Sequence, residues 1–330
     1  ITNSYSTANV TATDATAGGL VGYNMGTVTN AYSTGNVIAK IGGYVGGLAG
    51  QNDSGSIKNA YSTGSVKSES TAYGSVGGLV GENYHATIEN AYSTGKVEGG
   101  EYTGGLVGHS VGWASSYSVI KNSYWDKGTS GQNDGVGSFY NTTITNLTGL
   151  STDDAFSKAK YSQFDFNNTN GTWYMIDGYT RPFLRSEYST TITNAHQLQL
   201  IGMNNTTIST NYTLANNIDM SELQRASGMW QTSTGFVPIR YINMTETEKP
   251  FSGTFDGQGY TIDNLKIANP TNAYNVGLFS IIDGATIKNV GLKNVDITTS
   301  TSTNSTGALV GQILDGTITN SYSTGTVTSD

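Results

Sequence analysis

The sequence has no cysteine in 330 residues, which excludes disulfide bonds, thiolate metal ligands and a cysteine nucleophile. Charged residues make up only 12%, about half the usual share of a globular protein. The formal net charge is −8, and the 16 basic residues form no run, so nucleic acid is excluded as a partner because phosphate binding needs clustered Lys and Arg. No apolar run approaches the roughly 18 residues of a membrane span.

What the sequence has in excess is glycine, with 43 residues, alongside only 4 prolines. Many of these glycines belong to a two-part repeat of about thirty residues, the length of one supersecondary unit. Its first half is an apolar segment flanked by glycines, found at 18–22, 46–50, 77–81, 104–108 and 307–311. Its second half is an Asn-Ala/Ser-Tyr segment, found at 30–32, 59–61, 90–92 and 122–124.

Each repeat contains two or three short apolar segments separated by glycine turns, which predicts strands and no helix. Winding such units around an axis stacks equivalent strands in parallel, about 4.8 Å apart. The predicted fold is therefore an all-β, right-handed parallel β-helix, or β-solenoid. Equivalent leucines are expected in one interior column, which comprises Leu20, Leu48, Leu79, Leu106 and Leu309. A second apolar column holds Val28, Ile57, Ile88 and Ile120.

The polar and aromatic positions of the repeat predict two further columns. Identical side chains at strand spacing form amide ladders and offset aromatic stacks. The expected ladder is Asn30, Asn59, Asn90 and Asn122, and the expected stack is Tyr32, Tyr61, Tyr92 and Tyr124. A ladder that satisfies turn backbone groups is the main interpretation of the asparagines, and a ligand-binding row is the alternative.

The pattern divides the chain into three segments. Residues 1–125 form the first solenoid, 126–188 an aromatic-rich insertion packed against it, and 189–330 a second solenoid segment. The insertion is expected to contain one helix over 151–160, where Ser151 and Asp154 have the spacing of a capping box. The close match of 318–324 to 1–7 predicts that the sequence is part of a longer tandem array.

The Gly-Gly-Leu-Val-Gly and Asn-Ala/Ser-Tyr-Ser-Thr-Gly units resemble the GLUG motif. The segment Phe255-Asp256-Gly257-Gln258-Gly259 and its following repeats resemble the β-helical shafts of filamentous-haemagglutinin-like surface adhesins. The resemblance implies a parallel β-helix at the cell surface. It implies no particular activity.

The residues that catalysis or metal binding needs are scattered. His85, His109 and His196 fall in separate repeats, which disfavours a histidine-based site. The acids considered for a polysaccharide-active site or a structural calcium site are Glu82, Asp126, Asp134, Asp256 and Asp263, and they occur singly, two of them in turn dipeptides. We therefore expect no enzyme and no cofactor, with a structural calcium ion as the less favoured alternative.

Three other residue sets have an alternative functional interpretation. Sequons that predict glycosylation in loops include Asn141, Asn146, Asn167, Asn211, Asn243 and Asn304. One threonine per repeat, at Thr7, Thr34, Thr63, Thr94 and Thr324, could alternatively match an ice lattice, although a single row is fewer than such a lattice needs. Trp113, Trp125, Trp173 and Trp230 are the aromatics best suited to stack on sugars, although core positions are the more usual role of tryptophan.

Together these features predict an extracellular structural or adhesive segment of a large repetitive surface protein. Its expected partners are further copies of the repeat, surface carbohydrate, and host or sister cells. The alternative is a homopolymeric extracellular filament whose subunits stack end to end. A polysaccharide-active β-helix enzyme is the less favoured third hypothesis.

Overall fold

The computed structural model describes residues 1–13, 16–113, 116–167, 170–242, 248–268, 275–299 and 304–329. Contacts divide the chain into two compact units. The first comprises residues 1–186 with 227–229, and the second comprises 187–226 with 230–330. The predicted insertion at 126–188 thus lies almost entirely in the same unit as 1–125.

Four parallel sheets form the coils of the first unit, and each coil contributes one strand to a sheet. The six-stranded sheet contains Thr2–Ser6, Thr27–Ser33, Ser56–Ser62, Thr87–Ser93, Ser118–Asp126 and Thr142–Leu150. The five-stranded sheet contains Val21–Asn24, Ala49–Asp53, Val80–Tyr84, Val107–Val111 and Val136–Tyr140. The two four-stranded sheets contain Val10–Ala12, Val37–Ala39, Val66–Ser68 and Val97–Glu98, and Ala17–Gly18, Tyr44–Gly46, Ser75–Gly77 and Tyr102–Gly104.

Equivalent residues of successive coils pair directly, as Tyr32 with Tyr61 and Tyr61 with Tyr92. The repeated glycines lie where backbone segments approach closely, both within a coil and between coils. A Cβ atom on Gly46 would lie 2.0 Å from the carbonyl oxygen of Ala49 in the same coil, and one on Gly47 would lie 2.2 Å from that of Gly78 in the next coil. The paired glycines of the motif are therefore required by contact between backbones. The predicted all-β parallel solenoid is confirmed.

The core of the first unit consists of the columns of apolar side chains. Leu48, Leu79 and Leu106 are fully buried, and they form one cluster with the second apolar column of Val28, Ile57, Ile88 and Ile120. Leu20 is partly buried against this cluster. The backbone joins the leucines as well, because the amide of Leu48 donates to the carbonyl of Leu79 at 2.9 Å. In the second unit Leu309 is half-buried.

The second unit is also built mainly of parallel strands. One five-stranded sheet contains Thr191–Ile192, Tyr212–Leu214, Thr254–Asp256, Ala285–Lys288 and Gly316–Thr319. A second sheet contains Ile218–Asp219, Thr261–Asp263, Lys266–Ala268, Gly291–Thr299 and Tyr322–Ser329. Short pairs join Asn275–Val276 to Ser305–Thr306 and Phe279–Ile282 to Val310–Ile313, and Tyr241–Ile242 pairs antiparallel with Glu248–Lys249.

Helical segments are short. The α-helices are Lys127–Ser130 and Ala195–Gln199, and neither was predicted from the sequence. The 3-10 turns are Asp154–Phe156, Lys158–Lys160, Arg185–Glu187, Leu200–Gly202, Thr207–Ser209 and Ser221–Gln224. The insertion also contains the antiparallel pair Trp173–Tyr174 and Phe183–Leu184.

The predicted helix over 151–160 is wrong. Two 3-10 turns occupy this stretch, and they are separated at Ser157, whose backbone is extended. The predicted cap does form, since the amide of Asp154 donates to Oγ of Ser151 at 3.1 Å. An α-helix would point Phe156 and Tyr161, five residues apart, toward different faces. Breaking the helix at Ser157 allows both side chains to be buried.

Candidate functional site

The tyrosine column is a continuous aromatic stack. Successive rings from Tyr5 through Tyr32 and Tyr61 to Tyr92 have centroids 5.0, 4.9 and 4.9 Å apart and interplanar angles of 7°, 4° and 5°. These distances equal the spacing of parallel strands, so the stack follows directly from the repeat. Tyr32, Tyr61, Tyr92 and Tyr124 are all buried.

The insertion covers this column. Trp173 lies 6.4 Å from Tyr61 and 5.8 Å from Tyr92, measured between ring centroids, and Phe164 stacks on Trp173 at 4.3 Å. The hydroxyl of Tyr92 donates to the carbonyl of Pro182 at 2.7 Å. Tyr61 and Tyr92 therefore join the insertion to the coils, and the buried part of the column is not available to an external ligand.

The asparagine column forms an amide ladder along the six-stranded sheet. Nδ2 of Asn30 donates to Oδ1 of Asn3 at 3.1 Å, Asn59 to Asn30 at 3.1 Å, and Asn90 to Asn59 at 3.3 Å. Asn122 accepts from Asn146 at 3.0 Å, so Asn146, proposed as a glycan acceptor, also belongs to the ladder.

The same asparagines have a left-handed backbone, which the sequence reasoning missed. Asn30, Asn59, Asn90 and Asn122 have φ of 52°, 51°, 52° and 51°. Asparagine tolerates this conformation better than other side chains, except for glycine. The sequence did contain a signal for this conformation. Asparagine is depleted in strands, yet here it recurs at the same position in each strand of the six-stranded sheet.

We expect Asn59→Ala to lower the free energy of unfolding by about 2–3 kcal/mol, because it combines left-handed strain with loss of the ladder bonds. Asn59→Gly removes the same bonds but accepts the φ of 51°, so its loss should be smaller. Urea unfolding of both variants measures the difference. Equal losses would show that the ladder alone selects asparagine.

A second, fully internal amide row lies in the five-stranded sheet and was also missed. Nδ2 of Asn24 donates to Oδ1 of Asn52 at 2.7 Å, and Asn52 donates to Asn83 at 2.9 Å. Asn83 continues to the carbonyl of Ala86 at 3.0 Å and to Oγ of Ser110 at 3.4 Å. All are buried, so the row satisfies polar groups inside the coil.

Asp126, a candidate for calcium binding or catalysis, is part of a buried ion pair. Its Oδ2 contacts Nη2 of Arg181, and both side chains are fully buried. Its Oδ1 accepts from the amide of Thr129 at 3.1 Å and from the hydroxyl of Thr152 at 2.9 Å. The guanidinium also donates to the carbonyl of Gly228 and lies 4.6 Å from the centroid of Phe156. This carboxylate is occupied by structural contacts.

The other candidate acids lie in different surroundings. Asp256 accepts from the amide of Gln258 and from Asn289, each at 3.0 Å, and pairs with Lys288 at 3.2 Å. Burial would raise the pKa of Asp256, but these donors outweigh it and lower the pKa below its usual value. Asp134 is exposed and Asp263 half-buried.

Glu82 lies in the five-stranded sheet, where it accepts from Gln51 at 2.7 Å and lies 3.5 Å from Nδ1 of His109. Within the described residues, no three His, Asp or Glu side chains converge as a metal site.

His196 is the centre of a buried cluster in the second unit. Its Nδ1 lies 2.7 Å from Oε2 of Glu187, and its Nε2 lies 3.0 Å from Oε2 of Glu222. Trp230 packs edge-on at 5.6 Å, and Arg225 lies 3.5 Å from Glu222. Burial would lower the pKa of His196, but the two carboxylates outweigh it and raise the pKa to about 10. The imidazolium form therefore bridges two acids at neutral pH.

This cluster predicts a loss of stability in alkali. The folded pKa of about 10 lies above the ordinary 6.5, so the stabilisation is complete below pH 6.5 and is lost as pH rises toward 10. The free energy of unfolding should fall by up to about 1.4 kcal/mol per pH unit in that window. Urea unfolding at several pH values measures this slope. His196→Gln, the control, should be less stable at pH 6 and should lack this slope.

The remaining predicted residues divide into buried and exposed groups. Thr34, Thr63 and Thr94 are buried, so they cannot form an exposed ice-matching row, whereas Thr7 and Thr324 are exposed. Trp125, Trp173 and Trp230 are core residues, and Trp113 is exposed. Among the sequon asparagines, Asn146, Asn167, Asn211 and Asn304 are exposed, Asn141 is half-buried, and Asn243 lies outside the described residues.

Comparison with known proteins agrees with this architecture. The GLUG motif matches residues 14–38, 41–67, 72–98 and 302–328. The chain is a repetitive parallel β-solenoid, and four of its repeats are GLUG repeats, as their resemblance predicted.

Over 134 residues the chain is 41% identical to halomucin of Haloquadratum walsbyi. This stretch is 40% of the present chain but 1% of halomucin, so the relative is far longer than the chain. No solved structure matches the chain significantly. No helix among the described residues is long and apolar enough to cross a membrane.

Proposed function

We propose that this chain is an extracellular structural and adhesive segment of a large repetitive surface protein. The observation that carries the proposal is the register of the first unit, in which tyrosine rings and asparagine amides repeat at the strand spacing from coil to coil. Such a stack is stiff and extends by adding coils, which suits a segment that holds a binding surface away from the cell. The GLUG repeats and the very long relative support it.

The composition is compatible with an extracellular location, since the chain has no cysteine whose redox state would depend on the compartment. The proposed partners are neighbouring repeats of the full-length protein, surface carbohydrate, and host or sister cells.

The test uses cells of the source organism and Fab fragments raised against this chain. The Fab fragments should label intact cells, and externally added protease should remove the label. They should also reduce attachment of the cells to one another or to a glycan-coated surface, whereas Fab fragments against a cytoplasmic protein should not. Labelling only after permeabilisation would contradict the surface location. Labelling without an effect on attachment would contradict adhesion but leave the structural role.

We also propose that the chain is not an enzyme and needs no metal ion. Support comes from the candidate acids with structural partners, since Asp126 pairs with Arg181 and Asp256 with Lys288. The chain should release no products from peptides or neutral and acidic polysaccharides, and its melting temperature should be the same with and without a chelator. A lower melting temperature with chelator would reveal a structural cation, since removing a ligand of the native state lowers stability.

A further inference from the structure

Two exposed aromatic side chains, Trp113 and Tyr140, and the half-buried Tyr84 gather at the carboxyl end of the five-stranded sheet. Tyr84, Val111 and Tyr140 occupy equivalent positions on three successive coils. Tyr140 is 62% exposed, and Trp113, two residues beyond Val111, is 58% exposed. Aromatic side chains of this size are normally buried, so a group of them that reaches the surface at one corner is a candidate binding surface.

Trp113 is held in place although it is exposed. Its backbone pairs with Ser116 through hydrogen bonds of 3.0 and 2.9 Å. Its indole Nε1 donates to the hydroxyl of Tyr84 at 3.0 Å. The carbonyl of Ser116 lies 2.9 Å from Nδ1 of His85, whose ring packs edge-on against Tyr84. The orientation of the indole is therefore set before any ligand arrives, which reduces the entropy lost on binding.

Polar groups lie beside these rings on the same face of the sheet. Asp53 is the partner of Tyr84 on the preceding coil. Its carboxylate accepts from the hydroxyls of Tyr23 and Ser54. Two residues before Tyr84, Glu82 accepts from Gln51 at 2.7 Å. Because residues two apart point to one face of a strand, an acidic and amide row runs alongside the aromatic one.

We propose that Trp113, Tyr84 and Tyr140 form a stacking surface for a neutral glycan, with Asp53 accepting hydrogen bonds from its hydroxyl groups. A sugar ring has an apolar face of C–H groups and a polar edge of hydroxyls, which matches aromatic rings bordered by a carboxylate. This inference rests on the proposed adhesive function and names its ligand class.

Charge and size favour a neutral glycan over other ligands. The chain has a net charge of −8, and Asp53 and Glu82 border the rings, so an anionic polysaccharide would be repelled. A stable protein partner covers about 800 Å² on each side with an apolar centre. Three rings with acidic neighbours suit a narrower ligand.

The experiment uses the full 330-residue chain labelled with 5-fluorotryptophan, which gives one fluorine signal for each of the 4 tryptophans. Neutral hexasaccharides of glucose, mannose and N-acetylglucosamine are titrated separately, with hexagalacturonate and hexalysine as the anionic and cationic comparisons. At least one neutral glycan should shift the Trp113 signal. The buried Trp125, Trp173 and Trp230 serve as internal controls and should not respond.

Variants then locate the surface. Trp113→Ala and Tyr140→Ala should each lower the affinity for that glycan at least about tenfold, because each removes an aromatic face on which the sugar ring stacks. Isothermal titration calorimetry measures these affinities, since Trp113→Ala lacks the fluorine reporter. Tyr73→Ala removes a 72% exposed ring elsewhere on the same unit and should leave affinity unchanged. Circular dichroism and the melting temperature check that each variant folds.

Three results would overturn the proposal: no shift with any neutral glycan, a stronger response to hexalysine or hexagalacturonate, or equal losses for Tyr73→Ala and Trp113→Ala. These outcomes are separable from failure of the adhesive function itself. Fab fragments that label intact cells and block attachment, combined with no glycan response, would reject the glycan and retain adhesion. Absence of surface labelling would reject the surface role whatever the glycan result.

Discussion

Arg181→Met is expected to lower the free energy of unfolding by about 3–5 kcal/mol, because it leaves the carboxylate of Asp126 buried without its counter-charge. Both side chains of this pair are fully buried. The substitution also removes the donor to the carbonyl of Gly228 and the contact with the ring of Phe156. Urea unfolding followed by tryptophan fluorescence measures the loss.

The matched control is Lys160→Met, which breaks the pair with Asp154. Its two atoms are 3.1 Å apart, but both side chains are about half exposed, so the cost should stay below about 1 kcal/mol. The double variant Asp126→Leu with Arg181→Met should be more stable than Arg181→Met alone, since no unpaired charge remains. A similar small loss for Arg181→Met and Lys160→Met would contradict the buried pair.

The parts of the fold that repeat could be predicted from the sequence. A side chain that recurs every coil has only one way to meet its equivalents, which is to stack along the axis at the strand spacing. Leu48, Tyr61 and Asn59 were assigned to columns on this basis, and each lies beside its equivalent on the next coil. The repeat length alone was therefore enough to predict that residues about thirty positions apart in the sequence are neighbours in the fold.

Features that occur once left no periodic signal. Asp126 and Arg181 are 55 residues apart, and His196 and Glu222 are 26 apart, in stretches where the repeat is weak or absent. Their pairing depends on how the insertion and the divergent coils fold, which a single sequence does not reveal. The predicted helix failed for a related reason, because burial of both Phe156 and Tyr161 overrode local helix propensity.

The exposed aromatic corner could be predicted only in part from the sequence. Trp113 was recognised as a side chain able to stack on sugars, together with three tryptophans that are buried. Nothing in the sequence distinguished the exposed tryptophan from the three buried ones, since exposure depends on which side chains the folded chain covers. Tyr84 and Tyr140 gain significance only through their register with Val111. The proposed glycan surface therefore required the structure, whereas the solenoid that presents it did not.

Leu48→Asp is expected to lower the free energy of unfolding by at least about 4 kcal/mol, since it loses the burial of a leucine and places an unpaired charge in an apolar column. Leu48 is fully buried between Leu20 and Leu79, whose backbones bond to its own. Because each coil is stabilised by its neighbours, the damage should spread to the coils on both sides and lower their protection against hydrogen exchange. Leu48→Ala should cost about 2–5 kcal/mol through the cavity alone.

The control for this prediction is Ile41→Asp, which adds the same charge at a side chain of the same unit that is 58% exposed. Its effect should stay within about 0.5 kcal/mol, as for other surface substitutions. Melting temperatures and hydrogen exchange of the three variants together separate burial from charge. An unchanged melting temperature for Leu48→Asp would mean that the leucine column does not support the coils, and the physical basis of the solenoid argued from the repeat would then be wrong.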